Sequence, residues 1–558
     1  MAEYDVNVDR WSEERFVGHV PDLVGCFVFA EDVDGVVTAV PETIRQYHRW
    51  LIDLGVQLDP PPEPITVRVE TVLATARDIF PTDQQPISTS EVEWQLQLAA
   101  YNRQELLTII ANMPAGMLDW KPYVDRVSIR EIAFHVGSSE MWYLSRITAA
   151  QDEPELELLP YLDWTRTAVI EALSQLNDAQ RAAVVTQSQG TRFPDEPWSV
   201  RKVLRRLLEH EREHIAHIQE ILAEWRLHFQ ARLAAERARL FWSIRGLSTE
   251  TMTELEVMPD WSVKDLLAHV AYYDGFHTNR IHMVANGRIA EIKEIGDKAA
   301  LAKYNAQLLK QFKDVPMEQA IAMLLKERSG FKATFKTIPD DVVQQEVELP
   351  WGWQTSIYQW ATWRYLHDEE HCLEIEKWRE TLSKKQVFDS TPKYLLRTIL
   401  KSTRQAFNAL LPLFTEAEKV TRPVCGTWSL KDVVGHLTDW EIVAVEGITA
   451  LAAGQLPEFD YEIPDFDAFN NANAAKRQSQ SWNEVWYDFV NTREQLLAAL
   501  EKTDGTALAR QFKSPWDSQL HGYYWMLIWA DHEMEHANDV RSALQLVGWP
   551  DKLLAEEG

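Results

Sequence analysis

Cysteine is scarce in this sequence. Only Cys26, Cys372 and Cys425 occur in 558 residues, and no two of them form a CxxC pair. We therefore expect no disulfide framework and a chain that folds in the reducing cytoplasm. Long apolar runs are missing too, and the first residues lack the basic and apolar segments of a signal peptide. A membrane span and a secretory leader are not expected.

Basic residues are also in short supply. Lysine and arginine number 56 against 85 aspartates and glutamates, which gives a formal net charge of −29. Such a surface repels phosphate backbones and anionic lipids, so neither nucleic acid nor membrane is an expected partner. The composition is otherwise globular, and the length predicts roughly three to five domains. The 23 tryptophans suit helix packing and pocket walls.

The first 72 residues differ in pattern from the rest of the chain. Short β-rich runs surround one helical stretch from about Val36 to Leu54, and a proline-rich string follows before a last strand. This pattern predicts a small α+β domain over residues 1–72. The predicted strands are Tyr4–Val8, Arg15–Val20, Gly25–Ala30 and Ile65–Val69.

Part of this domain resembles a known family. Residues Pro21–Cys26, Glu31–Gly35 and Thr43–Leu51, with Gly55 after them, resemble the HicB-like antitoxin domain. The resemblance implies a toxin–antitoxin regulator with a small protein partner. HicB proteins usually add a DNA-binding element, and no helix-turn-helix or ribbon-helix-helix pattern follows here. An accessory or dimerisation domain is the simpler interpretation.

From about Ser88 onward the patterns are helical, and one motif occurs three times. A serine is followed seven residues later by a histidine, and an acid stands five residues after that histidine. Repetition of this kind indicates repeated structural units. The three copies are Ser128, His135 and Glu140; Ser262, His269 and Asp274; and Ser429, His436 and Glu441.

A second motif, His-x3-His, also occurs three times, each time after a Pro-Trp pair. It begins 75, 98 and 96 residues after the histidine of the first motif, so the middle of the first copy is shorter. Each copy holds four helical runs, which is typical of a four-helix bundle. We predict a mainly α fold with three tandem four-helix bundles after the α+β domain. The predicted bundles cover residues 88–228, 229–386 and 390–548.

The junctions between the predicted bundles differ. From Ser199 to Ile244 there is no proline or glycine, which predicts one helix of about 45 residues running from the first bundle into the second. At the next junction, Phe388–Pro392 is expected to break the helix and cap a new one. In the second bundle the predicted helices are Ala231–Ile244, Ser262–Asn286, Asp297–Thr337 with a break near Pro316, and Gln354–Leu382.

The serine of the first motif and the acid three residues after it form a capping box. The serine accepts a hydrogen bond from a backbone N–H in the first helical turn, and the acid bonds back to the backbone of the serine. This is a folding role. The pairs are Ser128 and Glu131, Ser262 and Asp265, and Ser429 and Asp432.

The repeated histidines are the candidate metal ligands. Residues four apart on a helix share one face, so His-x3-His is a two-ligand clamp for a divalent ion. A histidine from a facing helix completes three ligands and leaves positions open, as in a catalytic metal site. A single histidine would more often be a core residue, but three such sets in one chain favour metal binding. The sets are His135, His210 and His214; His269, His367 and His371; and His436, His532 and His536.

A fourth polar residue stands seven positions after the first histidine of each pair. His217, Glu374 and Asp539 share the helix face of the ligands, where they would orient a ligand or lie on the surface. The pair also spells H-x-x-E-H, the inverzincin motif of metallopeptidases. That family takes a third ligand from further downstream, and none recurs here, so peptidase activity is the weaker interpretation. Cys372, one position after His371, points away from the ligand face and is expected to be a core or surface thiol.

The string Trp-Ser-[Val/Leu]-Lys-Asp-x3-His, with the later His-x3-His, resembles the DinB-like superfamily. Trp261–His269 and Trp428–His436 carry it, whereas the first copy has Val127 in place of the tryptophan. The resemblance implies four-helix bundles that bind Zn²⁺ or Ni²⁺ through three histidines. Several members are transferases or isomerases that use a low-molecular-weight thiol.

The function expected from this resemblance is thiol-dependent transfer to a small electrophile, with a metal-hydroxide hydrolase as a variant. A non-catalytic metal-binding or scaffold protein is the alternative, as is a toxin–antitoxin regulator acting through the first domain. The chain is expected to be a monomer, or a homodimer, whose adjacent bundles pair within it. Its catalytic residues and thiol-binding residues stay open at this point.

Overall fold

A computed structural model of the chain describes residues 2–61, 63–123, 125–186, 191–383 and 391–545. It is mostly helical with a small N-terminal sheet, as the sequence predicts. The chain divides into two compact units. The first holds residues 1–120 and 127–221, and the second holds residues 121–126 and 222–558.

The N-terminal domain in the first unit contains all four predicted strands and the predicted helix. Strand β1 is central, antiparallel to β2 and parallel to β4, and the strand order is β3-β2-β1-β4. Helix α1 begins after Asp32, whose side chain accepts a hydrogen bond from the Gly35 N–H. The elements are β1 (Ala2–Ser12), β2 (Arg15–His19), β3 (Phe27–Ala30), α1 (Val33–Asp53) and β4 (Ile65–Leu73).

The rest of the first unit is helical and shares its core with the N-terminal domain. Buried Val36 and Ile44 of α1 belong to the same apolar cluster as Leu98 and Leu204. Residues of the predicted N-terminal domain therefore pack directly on the helices that follow them in the first unit. The elements are α2 (Thr89–Ile110), α3 (Ala115–Leu118), α4 (Ile129–Leu144), α5 (Leu158–Ser174), α6 (Asp178–Ala182), β5 (Val185–Thr186), β6 (Pro197–Trp198) and α7 (Val200–Ser243), with a 3₁₀ turn at Thr82–Gln84.

Helix α7 confirms the prediction of one long helix at the first junction. It runs for 44 residues from Val200 to Ser243, and the boundary between the two units falls within it. No proline or glycine interrupts this stretch, so every interior backbone N–H keeps its helical partner.

The first half of the second unit contains the four helical runs predicted for the second bundle. The break near Pro316 is real, because that proline separates α10 from α11. The elements are α8 (Thr249–Glu254), β7 (Glu256–Met258), β8 (Trp261–Ser262), α9 (Val263–Ala285), α10 (Lys298–Phe312), α11 (Met317–Lys336), α12 (Asp340–Gln344), β9 (Glu346–Glu348), β10 (Gln354–Ser356) and α13 (Ile357–Arg379), with a 3₁₀ turn at Ile289–Glu291.

The second half of that unit repeats the pattern. A new helix begins after Pro392, whereas residues 388–390 of the predicted break lie outside the described residues. The elements are α14 (Lys393–Asn408), α15 (Glu418–Thr421), β11 (Pro423–Cys425), β12 (Trp428–Ser429), α16 (Leu430–Ala452), α17 (Phe466–Arg477), α18 (Trp482–Lys502), α19 (Gly505–Leu508), β13 (Gln511–Lys513), β14 (Gln519–His521) and α20 (Gly522–Leu544), with a 3₁₀ turn at Leu411–Leu413.

The three predicted capping boxes are confirmed. Ser128, Ser262 and Ser429 each cap the helix that carries the first histidine of a set, with the backbone and carboxylate bonds both present. The Pro-Trp pairs have a role that the helical patterns did not reveal. They lie in or beside the short two-stranded hairpins that precede α7, α13 and α20. Each hairpin fixes where the helix with the histidine pair begins.

One apolar core runs through both halves of the second unit. It includes Phe241 and Ile375 from the first half and Leu396 and Trp525 from the second half. Adjacent helical segments of this unit therefore pack against each other within one chain. Among the described residues, no helix is both long and apolar enough to cross a membrane.

Candidate metal centres

The nine predicted ligands come together as three separate sets. In each set one histidine comes from the helix capped by the repeated serine, and the other two come from the helix that follows the hairpin. The ligand atoms of each set lie within 4.8 Å of one another. The first centre is His135, His210 and His214; the second is His269, His367 and His371; and the third is His436, His532 and His536.

The Nε2 atoms converge in every centre. In the first, Nε2 of His210 is 3.2 Å from that of His135 and 3.1 Å from that of His214. The matching distances from His367 in the second centre are 3.1 Å to His269 and 3.0 Å to His371. In the third centre, Nε2 of His436 on α16 is 2.9 Å from Nε2 of His532 on α20.

This convergence fits a bound cation. Three neutral imidazoles cannot satisfy three mutually facing nitrogens with hydrogen bonds alone, because each Nε2 either carries one proton or offers one lone pair. Tetrahedral ligation with metal–nitrogen bonds of about 2.0–2.1 Å places ligand nitrogens about 3.3 Å apart. The observed separations of 2.9–3.2 Å are close to this value. The donor set therefore suits Zn²⁺ or Ni²⁺, and the binding itself stays a prediction.

Burial keeps several of these imidazoles neutral. Burial first, and then the neighbouring histidines, lower the pKa of His210 and His436 to about 2. In the second centre burial brings the pKa of His269 to about 3 and that of His367 well below its ordinary value. A neutral imidazole is the form that ligates a metal, so these ligands need no deprotonation at neutral pH.

The outward Nδ1 atoms differ between the centres. Nδ1 of His371 lies 2.7 Å from a carboxylate oxygen of Glu374, and Nδ1 of His536 lies 3.0 Å from one of Asp539. A carboxylate at Nδ1 fixes the tautomer so that the Nε2 lone pair faces the centre. In the first centre the described residues show no such bond. The ring centroid of His217 is 6.2 Å from that of His214, whose Nδ1 has no partner among them.

A buried ion network lies beside each centre, and sequence reasoning missed it. In the second, Arg237 and Arg328 both bond to Asp274 and Asp368 at 2.9–3.1 Å. The four side chains are nine-tenths or more buried. Asp368 directly follows the ligand His367, so the network fixes the helix that carries the ligand pair. The same arrangement occurs with Arg103, Arg166, Glu140 and Glu211, and with Arg404, Arg493, Glu441 and Glu533.

The arginines keep the network acids ionised. Burial alone would raise the pKa of Glu140, but Arg103 and Arg166 outweigh it and hold the pKa below its ordinary value. Arg328 and Arg237 lower the pKa of Asp274 in the same way. Removing one member of a buried ion pair costs about 3–5 kcal/mol of stability. Single substitutions at the network residues should therefore destabilise the fold strongly.

Part of each ion network could have been recognised from regular spacing in the sequence. Arg103, Arg237 and Arg404 each stand 32 residues before the first histidine of their centre, and an acid follows the first histidine of each pair. Only the acids five residues after the first histidine were noticed from the sequence, without their partners. The second arginine of each network stands at unequal distances from that histidine, so the repeat does not reveal it.

The comparisons with known proteins cover two of the three centres. A family model described as the DinB superfamily matches residues 99–218 and 399–540. These two segments are DinB-like. They contain the complete first and third histidine sets, whereas the N-terminal domain and the segment with the second set lie outside the matched residues. No curated protein and no solved structure matches the chain.

The second centre opens into a cavity of about 940 Å³. All three of its histidines line this cavity, together with the inward side of α10 and the ring of Trp363. The α10 residues that contribute are mainly apolar: Leu301, Ala302, Asn305, Ala306 and Leu309. A mostly apolar cavity of this size beside a polar cluster is typical of a small-molecule site.

The third centre lies in the second DinB-like segment, where His436 and His532 are half-buried and His536 is buried. Helix α17 follows α16 along the chain, as α10 follows α9. A cavity that His436 lines beside α17 measures only about 10 Å³. The α17 residue Asn470 accepts a hydrogen bond from Trp440 at 2.9 Å, and Trp440 in turn contacts the ring of His532. Tyr273 makes the matching contacts in the second centre, because it donates to Asn305 of α10 at 2.8 Å and its ring centroid lies 5.6 Å from that of His367.

The first centre, in the other DinB-like segment, has no helix in the described stretch between α4 and α5. Its His135 is exposed, and a cavity of about 730 Å³ reaches all three histidines. The N-terminal domain supplies part of the wall, because Trp11 lines this cavity. Arg15 of the same domain pairs at 2.9 Å with Glu213 of the H-x-x-E-H string.

The cysteines are placed partly as expected. Cys372 is fully buried, as the core interpretation predicted. Cys425 was not singled out from the sequence, yet its sulfur lies with His536 and Asp539 in one group of potential ligand atoms. Cys425 belongs to strand β11, whereas the other two residues belong to α20, more than 100 residues later in the chain. Only folding brings these elements together, so sequence spacing gives no hint of the group.

Proposed function

We propose that the chain is a metal-dependent enzyme whose second centre transfers a low-molecular-weight thiol onto an apolar electrophile. The observation that carries this proposal is the position of three converging imidazoles in the wall of a cavity of about 940 Å³. We also infer that residues 229–386, which lie between the two matched segments, form a further DinB-like bundle. The repeated capping box, ligand set and ion network support this inference.

The residues of the second centre have distinct roles in this proposal. His269, His367 and His371 hold Zn²⁺ or Ni²⁺, and Glu374 keeps His371 in the ligating tautomer. A bound metal of this kind lowers the pKa of a coordinated thiol, which makes a stronger nucleophile near neutral pH. Glu370 is exposed and lines the same cavity, where its carboxylate can accept the thiol proton.

The shape of the cavity favours an apolar electrophile. Leu301, Leu309 and Trp363 line the cavity, and so does Tyr273, which donates to Asn305 at 2.8 Å. Apolar walls exclude water from the reacting atoms and hold an apolar ligand by burial of its surface. The new bond joins the thiol sulfur to the electrophilic carbon, and the displaced group leaves with its electron pair.

The test is a conjugation assay on the full-length chain. The protein is loaded with Zn²⁺ or Ni²⁺, and 1-chloro-2,4-dinitrobenzene is offered with glutathione, bacillithiol or mycothiol. We expect conjugation with at least one thiol, and a loss of roughly 100-fold or more in His367→Ala. His282→Ala removes an exposed histidine outside the centres and serves as the matched control. Absence of conjugation with every thiol, in protein shown to hold metal, contradicts the proposal.

The small cavity that His436 lines favours a second role, a structural one, for the third centre. Structural metal sites are closed, whereas catalytic sites keep an open position. With about 10 Å³ beside His436, we propose that this centre holds a metal that stabilises its bundle. Elemental analysis tests this: the purified chain should retain metal in the third centre after treatment that empties the second.

A further inference from the structure

A second pocket lies beside the first centre, between the N-terminal domain and the first bundle. It measures about 520 Å³. It shares Trp11, Trp142, Tyr143 and Arg206 with the cavity that holds the first three histidines. A molecule in this pocket would therefore extend toward the first centre. We refer to it as the arginine pocket.

The arginine pocket is cationic in an otherwise acidic chain. Its lining includes five basic and two acidic residues, against a net charge of −29 for the whole chain. The two acids are already engaged: Asp9 faces His19 at 3.4 Å, and Glu196 pairs with Lys202 at 3.1 Å. The basic residues are Arg10, Arg77, Arg192, Lys202 and Arg206.

Three of these cations have no carboxylate partner among the described residues. Arg10 donates to the backbone carbonyl of Ser12, and Arg77 lies 3.9 Å above the ring of Phe193. Arg192 is exposed at the rim. A guanidinium presents a planar fork of donors that matches carboxylate and phosphate oxygens. The pocket therefore offers anion-binding groups that the protein itself does not neutralise.

The remaining walls are aromatic. Trp11, Trp142, Tyr143, Phe193 and Trp198 all line the pocket. The guanidinium of Arg206 lies 4.9 Å from the Trp11 ring, which fixes the rim of the shared wall. Flat rings of this kind pack well against a flat ligand body. An inorganic anion would leave this apolar area unused.

We propose that the arginine pocket binds an organic anion with an aromatic body, and that the N-terminal domain recognises the ligand of the first centre. The proposal rests on the proposed function only where it treats the three histidines as a metal centre. It gives residues 1–72 a role in ligand binding, since Arg10, Trp11 and Arg77 belong to or directly follow that domain. The anionic group is a carboxylate or a phosphate.

The test compares three probes of one shape by calorimetry on the full-length chain, as purified and after chelation of metal. They are 2-naphthoate, 2-naphthyl phosphate and the uncharged 2-naphthylmethanol. We expect at least one anion to bind about tenfold or more tightly than the alcohol. The preferred anion distinguishes a carboxylate from a phosphate ligand. In Arg77→Gln/Arg192→Gln its affinity should fall about tenfold, whereas Arg49→Gln, an exposed cation outside the pocket, should leave it unchanged.

Several results would overturn the proposal. One is equal binding of the alcohol and both anions. Another is an anion affinity that the double variant leaves within about twofold of the parent, because the probe then binds elsewhere. Inorganic phosphate that binds as tightly as the naphthyl anions would exclude the aromatic body. Since the arginines are exposed, the variants should fold, and their melting curves check this. Binding measured after chelation does not depend on the metal. The arginine pocket can therefore be tested even if the proposed conjugation activity fails.

Discussion

The second and third centres use the same ligand frame but differ in the size of the cavity found beside them. Both have a capped helix with one histidine, a helix with the pair, a carboxylate at one Nδ1 and a buried ion network. They differ in the helix inserted after the first ligand helix. Helix α10 lines a cavity of about 940 Å³ that reaches all three ligand histidines, whereas the cavity lined by α17 and His436 measures about 10 Å³. Ligand motifs alone therefore do not reveal how large a cavity lies beside a centre.

The largest expected effect concerns what the two centres share. Replacing Asp368 by Asn removes a charge that faces Arg237 and Arg328, and should lower the free energy of unfolding by about 3–5 kcal/mol. Glu533→Gln should cost a similar amount in the third centre. Urea unfolding of the full chain measures both, with Glu254→Gln, an exposed acid, as control. Unequal costs would show that the two networks are not equivalent.

Activity should separate the two centres. Because a structural role is proposed for the third centre, His532→Ala should change the rate of thiol conjugation by less than about twofold, against the roughly 100-fold loss expected for His367→Ala. Both variants should lose one equivalent of bound metal, which elemental analysis measures. If His532→Ala abolishes conjugation while the protein stays folded, the assignment of catalysis to the open centre is wrong.

The carboxylates at Nδ1 should matter equally in both centres. Glu374→Gln and Asp539→Asn keep the size of the side chain but weaken the bond that orients the ligand histidine. Each should reduce metal affinity about 10–100-fold. Competition with a coloured chelator measures this. The first centre, where the described residues place no carboxylate at Nδ1 of His214, offers the comparison: His217→Ala should have little effect there.

Acid should expose a further difference. His277 lines the second cavity, and the matching position in the third bundle is Ala444. Burial, with Arg364 and Arg280, holds the pKa of His277 well below its ordinary value, so at about pH 5.5 only the unfolded state takes up its proton. Above about pH 6.5 His277 is neutral in both states and does not affect the free energy of unfolding. Below that pH the free energy of unfolding falls, by about 1.4 kcal/mol at about pH 5.5. In metal-free protein, His277→Leu should lose that much less stability between about pH 7.5 and 5.5, measured by urea unfolding. If His277→Leu loses as much stability as the parent protein over this pH range, His277 is not the group responsible.

The smallest effect tests the contacts that α17 makes with the third centre. Asn470 accepts from Trp440 and also bonds to the ligand His436, so Asn470→Ala should speed the loss of metal from this centre to a chelator toward the rate of the second centre. Stopped-flow release with a coloured chelator measures both rates in one sample. Asn473→Ala, a change one turn away on the same helix, is the control. Equal release from the two centres in the parent protein would contradict the difference in access.

Much of the fold could be predicted from sequence because the signals are local. Capping boxes, proline breaks and the absence of proline and glycine along α7 depend on neighbouring residues, and the structure has them where expected. The histidine sets were found because they repeat. The ion networks were missed because each arginine lies on a different helix from its acids, and pairing of that kind depends on packing.

Access to the centres could not be predicted either. The unequal spacing of the motifs indicated that the first bundle has a shorter middle, but spacing cannot say whether an inserted helix stands off the ligands or packs against them. Nor could it place Trp11, which is 124 residues from His135, in the wall of the first cavity. Such contacts arise only when separate segments fold onto one another.

The helix α10 has a consequence for how this protein can change. It carries part of the wall of the second cavity but none of the ligand histidines, the capping serine or the network residues. One contiguous stretch of 15 residues therefore contributes to what fits in the cavity, while the metal ligands lie on other helices. Substitutions along this stretch can alter ligand preference without disturbing the metal frame, which makes α10 the natural place to diversify a library or to graft a sequence from a related bundle.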